Sequence, residues 1–164
     1  MQHYGWLYIL FSMFLLSCNQ AQEKTEEIID EIDTQIEEVF PKFDHDQPDT
    51  ENNKQRFRDF LKVEITTDIR NIYCYDDAIG IDADYMFSFN CSSETSEKII
   101  RTNQLKIDTI NANNGFGMQD DFPWWNKDRI AELQKYSWTN GDQYYKYYWY
   151  DQDSSKAYFF DFDL

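Results

Sequence analysis

The stretch Trp138-Thr139-Asn140-Gly141-Asp142, continued by Tyr144-Tyr145-Lys146-Tyr147-Tyr148-Trp149-Tyr150 and by Lys156-Ala157-Tyr158-Phe159-Phe160-Asp161-Phe162, decides the fold. Aromatic residues favour a pleated, half-buried surface. Asn140-Gly141 suits the two positive-φ positions of a type I′ turn, and Asp151-Gln152-Asp153-Ser154-Ser155 joins the next pair. The reading is an antiparallel meander of three strands. Aromatics fall on both faces of its middle segment, although one face suffices for a core. The plainer expectation is a sheet covered on both sides. The functional expectation is a half-exposed face, used as an interface or a sugar-stacking platform. Trp124, Trp125, Tyr145, Tyr147 and Trp149 are then the candidate ligand-binding residues.

Upstream, Phe57, Phe60 and Leu61 give residues 53–62 the inward face of a short helix, and Ile69–Tyr75 and Tyr85–Cys91 read as strands. Ser92 or Ser93 caps a helix running to about Asn103. Its early Glu94 and Glu97 and late Lys98 and Arg101 complement the helix dipole. Leu105–Ile110 alternates as a strand, residues 111–125 form a loop, and Asn126 caps a short helix to about Leu133. The expected fold is α+β: an antiparallel sheet that includes the C-terminal meander, with helices on one side. The strand order cannot be read from these patterns. An 18% aromatic content supplies ample core material for one domain, residues 51–164.

Before that domain, residues 18–50 read as a tether. Ile28, Ile32, Ile36 and Val39/Phe40 recur at helical spacing in a strongly acidic amphipathic helix of about residues 25–40. Pro41 ends the helix, and residues 41–53 are polar, contain two prolines and read as a linker. The chain opens on an apolar run, Trp6–Leu16, within the ~7–15 residues of a signal sequence and short of the ~20 a membrane span needs. Leu15-Leu16-Ser17-Cys18 follows directly. This resembles the lipobox of bacterial lipoproteins. The resemblance implies that residues 1–17 are a signal peptide, and that Cys18 carries the acyl chains (palmitate among them) that hold the protein to a membrane. The remaining Asn-rich, aromatic-rich and acidic character resembles small lipoproteins of the Bacteroidetes group. That implies a cell-envelope location, at the outer membrane's periplasmic face or the cell surface.

Residues 1–17 contain no Asp, Glu, Lys or Arg, so the mature chain keeps the formal charge of −16. Such a surface repels nucleic-acid phosphates and anionic head groups, which excludes nucleic acid as an expected partner. His3 leaves with the signal, and His45 alone remains, in the linker. The folded domain is therefore expected to lack Ser-His-Asp catalysis and His-rich zinc sites. The enzymatic alternative is a hydrolase using paired carboxylates.

Asp76, Asp77, Asp82 and Asp84 bracket one loop and form a candidate calcium site, against the plainer reading of solvated turn residues. Asp151-x-Asp153-x-Ser155 resembles the start of a calcium loop but lacks the glycine and the final acidic ligand. Cys74 and Cys91 are a candidate disulfide in an exported protein, although a symmetric hairpin sets them apart from one another. The leading expectation is a lipid-anchored, non-catalytic protein-binding domain, one version being an immunity-type protein that meets a basic partner through its acidic surface. A glycan-binding module and a structural envelope lipoprotein are the alternatives.

Overall fold

The computed structural model describes residues 43–76, 84–109, 113–141 and 143–164. The expected signal peptide, Cys18 and the acidic helix lie outside them, as do Asp77 and Asp82. The described fold is α+β, with one six-stranded antiparallel sheet ordered β1-β2-β6-β5-β4-β3. Its strands are β1 (Arg70–Asp76), β2 (Tyr85–Asn90), β3 (Lys106–Ile107), β4 (Lys135–Thr139), β5 (Tyr144–Asp151) and β6 (Lys156–Asp163). The expected meander is present: β4, β5 and β6 are consecutive neighbours. The helices are α1 (Glu51–Leu61), α2 (Ser93–Thr102) and α3 (Lys127–Glu132). Their caps are local chemistry. The side chains of Thr50, Ser92 and Asn126 each accept from the backbone N–H three residues on.

Alternation along the strands separates two cores. On one face, α1 and α2 bring Phe57, Leu61 and Ile99 onto Cys74, Phe87, Phe89, Tyr148 and Phe159. On the other face, α3 contributes only Ile130, and most of the cover is the irregular segment 113–125. There Trp124, Trp125, Tyr147, Trp149, Tyr158, Phe160 and Phe162 form a largely aromatic core with Met86. Gly115 permits the close fit of this cover. Its φ is +71°, and a Cβ would lie 3.1 Å from the Phe160 ring.

Four local expectations are corrected. The polar stretch before residue 51 is not a loose linker from Phe43 onward. Phe43 packs on Phe60, Tyr85 and Phe87. The fully buried Asn53 side chain accepts from Asp44 N and lies 2.9 Å from the carbonyls of Asp44, Gln47 and Ile72. Asp49 accepts at 2.9 Å from the N–H groups of both Asn71 and Ile72. Segment 43–50 thus seals the outer edge of β1, which satisfies backbone groups that an edge strand leaves open.

The Asn140-Gly141 connection is not a two-residue type I′ turn. Gly141 takes a positive φ but Asn140 does not. The Asn140 carboxamide instead accepts from the N–H of Gln143 and Tyr144, which widens the loop. The strand expected at Leu105–Ile110 pairs only at Lys106–Ile107. No disulfide joins Cys74 and Cys91, which are free buried thiols. Cys74 faces Phe87 in register, four residues short of Cys91. At about 3.3 Å per residue that offset is ~13 Å, well beyond disulfide reach. Burial pushes the Cys91 thiol up to about 12 and Cys74 well above its ordinary value, so both stay protonated and unreactive.

Candidate functional site

Polar groups of the sheet line a cleft on the loop-covered face where β1, β2 and β6 meet. β1 carries a bulge there: Arg70 pairs with Asn90 and Tyr73 with Ser88, leaving Asn71 and Ile72 opposite Phe89. Asn71 sits in the left-handed region at φ 54°. Asparagine tolerates that conformation better than most residues, and the Asp49 carboxylate fixes it. Asn71 Nδ2 donates to Asn90 Oδ1 at 2.9 Å, and Asn90 Nδ2 holds the carbonyls of Ser154 and Ser155.

These residues floor a cleft of about 430 Å³. Tyr73, Ser88, Asn90 and Lys156 complete the floor, Phe122-Pro123-Trp124 is one wall, and His45 and Asp46 are at the rim. The wall is ordered by ring stacking. Trp124 lies 5.5 Å from Tyr73 at 12° and 4.8 Å from Phe122 at 2°. Trp124 Nε1 donates to the His45 carbonyl at 2.8 Å, which ties the wall to the rim. His45 Nε2 lies 3.3 Å from Asp46 Oδ1.

Two groups in this cleft are incompletely matched. Ser88 is fully buried and its hydroxyl has no hydrogen-bond partner. Such a group ordinarily costs about 1–3 kcal/mol. Lys156 Nζ donates to the Trp124 carbonyl at 2.8 Å and lies 5.2 Å from the Tyr158 ring centroid, with no carboxylate in contact. Burial alone lowers its pKa. Asp151, its register neighbour on β5, is engaged elsewhere. Arg129 holds both Asp151 oxygens, at 2.9 and 2.7 Å, which keeps that carboxyl far below its usual range.

The candidates from the sequence fare differently. The aromatic platform is not exposed: Trp125, Tyr147 and Trp149 are buried, and Tyr145 is half-buried and stacked on Phe162 at 5.2 Å. The covering segment 113–125 accounts for this, because its own tryptophans fill the face that an uncovered sheet would have shown. Of the five, Trp124 alone lines the cleft, and it too is mostly buried. Asp76 and Asp84 flank the β1–β2 connection, Asp77 and Asp82 lie outside the described residues, and no cluster of three or more metal-ligating side chains occurs among the described residues. Asp151 cannot open a calcium loop, because Arg129, Ser154 and the Asp153 N–H take its oxygens.

His45, expected in a linker, is drawn to the cleft by the sealing of β1. It shares the cleft with Ser88 and Asp46, yet the Ser88 hydroxyl bonds to neither. No nucleophile–base pair is formed there. Asp161 is a carboxylate that burial pushes up to about 6. It lies on the helix-covered face beside Lys146 and Tyr144, away from the cleft. The cleft residues Ser88, Asn90 and Lys156 were missed in the sequence, where they read as ordinary strand residues. The visible signal was an alternation in which Ser88 and Asn90 interrupt an apolar strand on one face.

The class this geometry defines is a small α+β domain with a sheet covered on both faces and a mixed polar–aromatic cleft at one end. No family model, no curated protein and no solved structure matches the chain. Among the described residues, no helix is long and apolar enough to cross a membrane.

Proposed function

We propose that the chain is a lipid-anchored envelope protein whose folded unit is a non-catalytic binding module, with a small polar ligand seated in the cleft of Ser88, Asn90, Lys156 and Trp124. The carrying observation is convergence: a stacked aromatic wall, two carboxamides, a hydroxyl and an ammonium line one concave space. Small-molecule sites share that make-up, with an apolar wall and few orienting polar groups. Saccharides fit the combination of ring edges and hydrogen-bonding groups better than an apolar ligand does. The platform first expected for a glycan is replaced here by the cleft.

The test is a glycan array probed with the full chain and with P123R, which places a bulky cation at the exposed rim. Glycans that bind the parent and not the variant would support the reading. A silent array, or binders indifferent to Pro123→Arg, would sink it.

A second reading, docking of a basic protein, draws on the charge of −16 and on the near absence of exposed apolar side chains. Ile107 and Leu164 are the large ones among the described residues. Acidic surfaces steer basic partners. Cross-linking in native cells should then capture one stoichiometric basic protein whose association slows steeply with salt. A bait-only lane would end this reading. The Cys18 anchor is checked by intact mass, where an acylated species starting at Cys18 is expected.

A further inference from the structure

We propose that the cleft selects a singly charged acidic sugar, a uronic acid, with Lys156 pairing its carboxylate and the floor at Ser88 and Asn90 receiving its hydroxyls. The inference rests on the cleft being the ligand site and goes on to assign the charge of the ligand.

Three observations carry it. The first is Lys156. In a chain with 31 acidic and 15 basic residues, the partly or fully buried cations Lys54, Lys127, Arg129, Lys135 and Lys146 each have a carboxylate in contact. Lys156 instead lies half-buried in the cleft and holds only a backbone carbonyl. An ammonium has three donors and one is used, so two remain for a ligand anion. The second is Ser88, a fully buried hydroxyl without a partner at the floor of the same space. A hydroxyl can donate to and accept from a sugar hydroxyl, which removes the mismatch. The third is the wall. Tyr73 and Phe122 are half-exposed beside the buried Trp124, and they offer ring surface to the C–H face of a pyranose.

The surrounding charge limits the ligand to one negative group. Asp46 stands at the rim, its side chain 86% exposed. Asp151 neighbours Lys156 in register, although Arg129 neutralises it. A polyphosphate or polysulfated chain would meet Asp46 and the acidic surface with like charge. A single carboxylate paired with Lys156 meets the least of that repulsion, since it brings one charge to the cleft rather than several.

The experiment is isothermal calorimetry on the full chain in detergent with D-glucuronate, D-galacturonate and D-glucose as probes. At least one uronate should bind tenfold or more tightly than glucose. Lys156→Met should abolish that preference, bringing uronate affinity down to that of glucose in the same variant. Lys156→Arg should restore it, which separates charge from a loss of folding. Ser88→Ala should weaken uronate and glucose alike. Glucose binding as tight as both uronates, with no response to Lys156→Met, would overturn the charge assignment while leaving the cleft as the ligand site. No binding of any of the three, with the array positive for neutral glycans of other types that Pro123→Arg removes, would also overturn it. A silent array together with silent calorimetry would overturn both readings.

Discussion

The two faces of the sheet are built by different means. The helix-covered face uses regular elements, whose backbone groups are satisfied mostly internally, so its core is mainly hydrocarbon: Phe57, Leu61, Ile72, Ile99 and the phenylalanines beneath them, with the Tyr148 hydroxyl donating to Ser96. The loop-covered face has to satisfy an irregular backbone as well as fill space. Side-chain donors do this. Lys127 Nζ bonds the Gln119 carbonyl, Lys135 Nζ that of Asn113, Lys156 Nζ that of Trp124, and Gln119 Nε2 that of Asn114. Trp125 Nε1 donates to Gln119 Oε1 at 2.8 Å. Tryptophan suits this cover because it brings area and a donor together. The difference teaches why the cleft is where it is. Helices meet a sheet along a continuous ridge, whereas an irregular cover ends abruptly, and at its end polar floor residues border an open cleft.

The strongest way to break this comparison is to empty each core in turn. Phe89→Ala on the helix face and Trp125→Ala on the loop face should each lower stability by about 3–5 kcal/mol. Because both faces share the same strands, urea unfolding should remain a single transition in each variant. Two separated transitions after Trp125→Ala would show that the faces fold independently.

Asn53→Ala should cost about 3 kcal/mol, since the backbone groups it serves on segment 43–50 and on β1 are left without it. Its effect should cross between the faces. Loosening segment 43–50 removes the carbonyl that holds Trp124, so the tryptophan emission should shift to the red. An unshifted spectrum in a destabilised variant would confine Asn53 to the edge of β1.

Acid titration sharpens the comparison through Asp161, a buried carboxylate on the helix face whose pKa is raised to about 6, against about 3.9 when unfolded. A raised acid favours the folded state when protonated. Stability should therefore rise by about 2–3 kcal/mol as pH falls from above 6 to about 4. Asp68 and Asp151 act oppositely. Their lowered values give stability that is present above the unfolded pKa and lost as pH falls further. A maximum near pH 4 is the expected sum, and Asp161→Asn should abolish the rise between 6 and 4 while leaving the acid-side loss. A rise that persists in that variant would assign it to another group.

The smallest expected contrast lies within the loop face. Trp149 is fully buried and its indole N–H has no partner, while that of Trp125 is bonded to Gln119. Trp149→Phe removes an unmet donor and should change stability by less than about 1 kcal/mol. Trp125→Phe leaves the Gln119 oxygen unserved and should cost about 1 kcal/mol more. Equal losses in thermal melts would mean that size alone governs both positions.

Much of the architecture was legible because it is written locally. Alternation marked β2, the aromatic runs marked β5 and β6, and Ser92 and Asn126 marked helix starts that the structure keeps. What escaped was decided by long-range partners. The segment before Thr50 is polar in composition, and the pairing of Asn53 and Asp49 with β1, together with the packing of Phe43, makes it part of the fold. The Asn140-Gly141 pair is compatible with a tight turn, but side-chain capping by Asn140 competes with it. The burial of Trp125 and Trp149 depends on a cover whose path no periodicity encodes. The cleft was illegible for the same reason. Ser88 and Lys156 are ordinary strand residues until register places them under Trp124.

The clamp of Asp49 and Asn53 on β1 has a mechanical consequence. A pull on residue 43 is met first by the Phe43 ring contacts and then by these few bonds along the edge of β1. His45, whose carbonyl steadies Trp124, belongs to the same segment. Tension on residue 43 would therefore reach the wall of the cleft through two residues of chain.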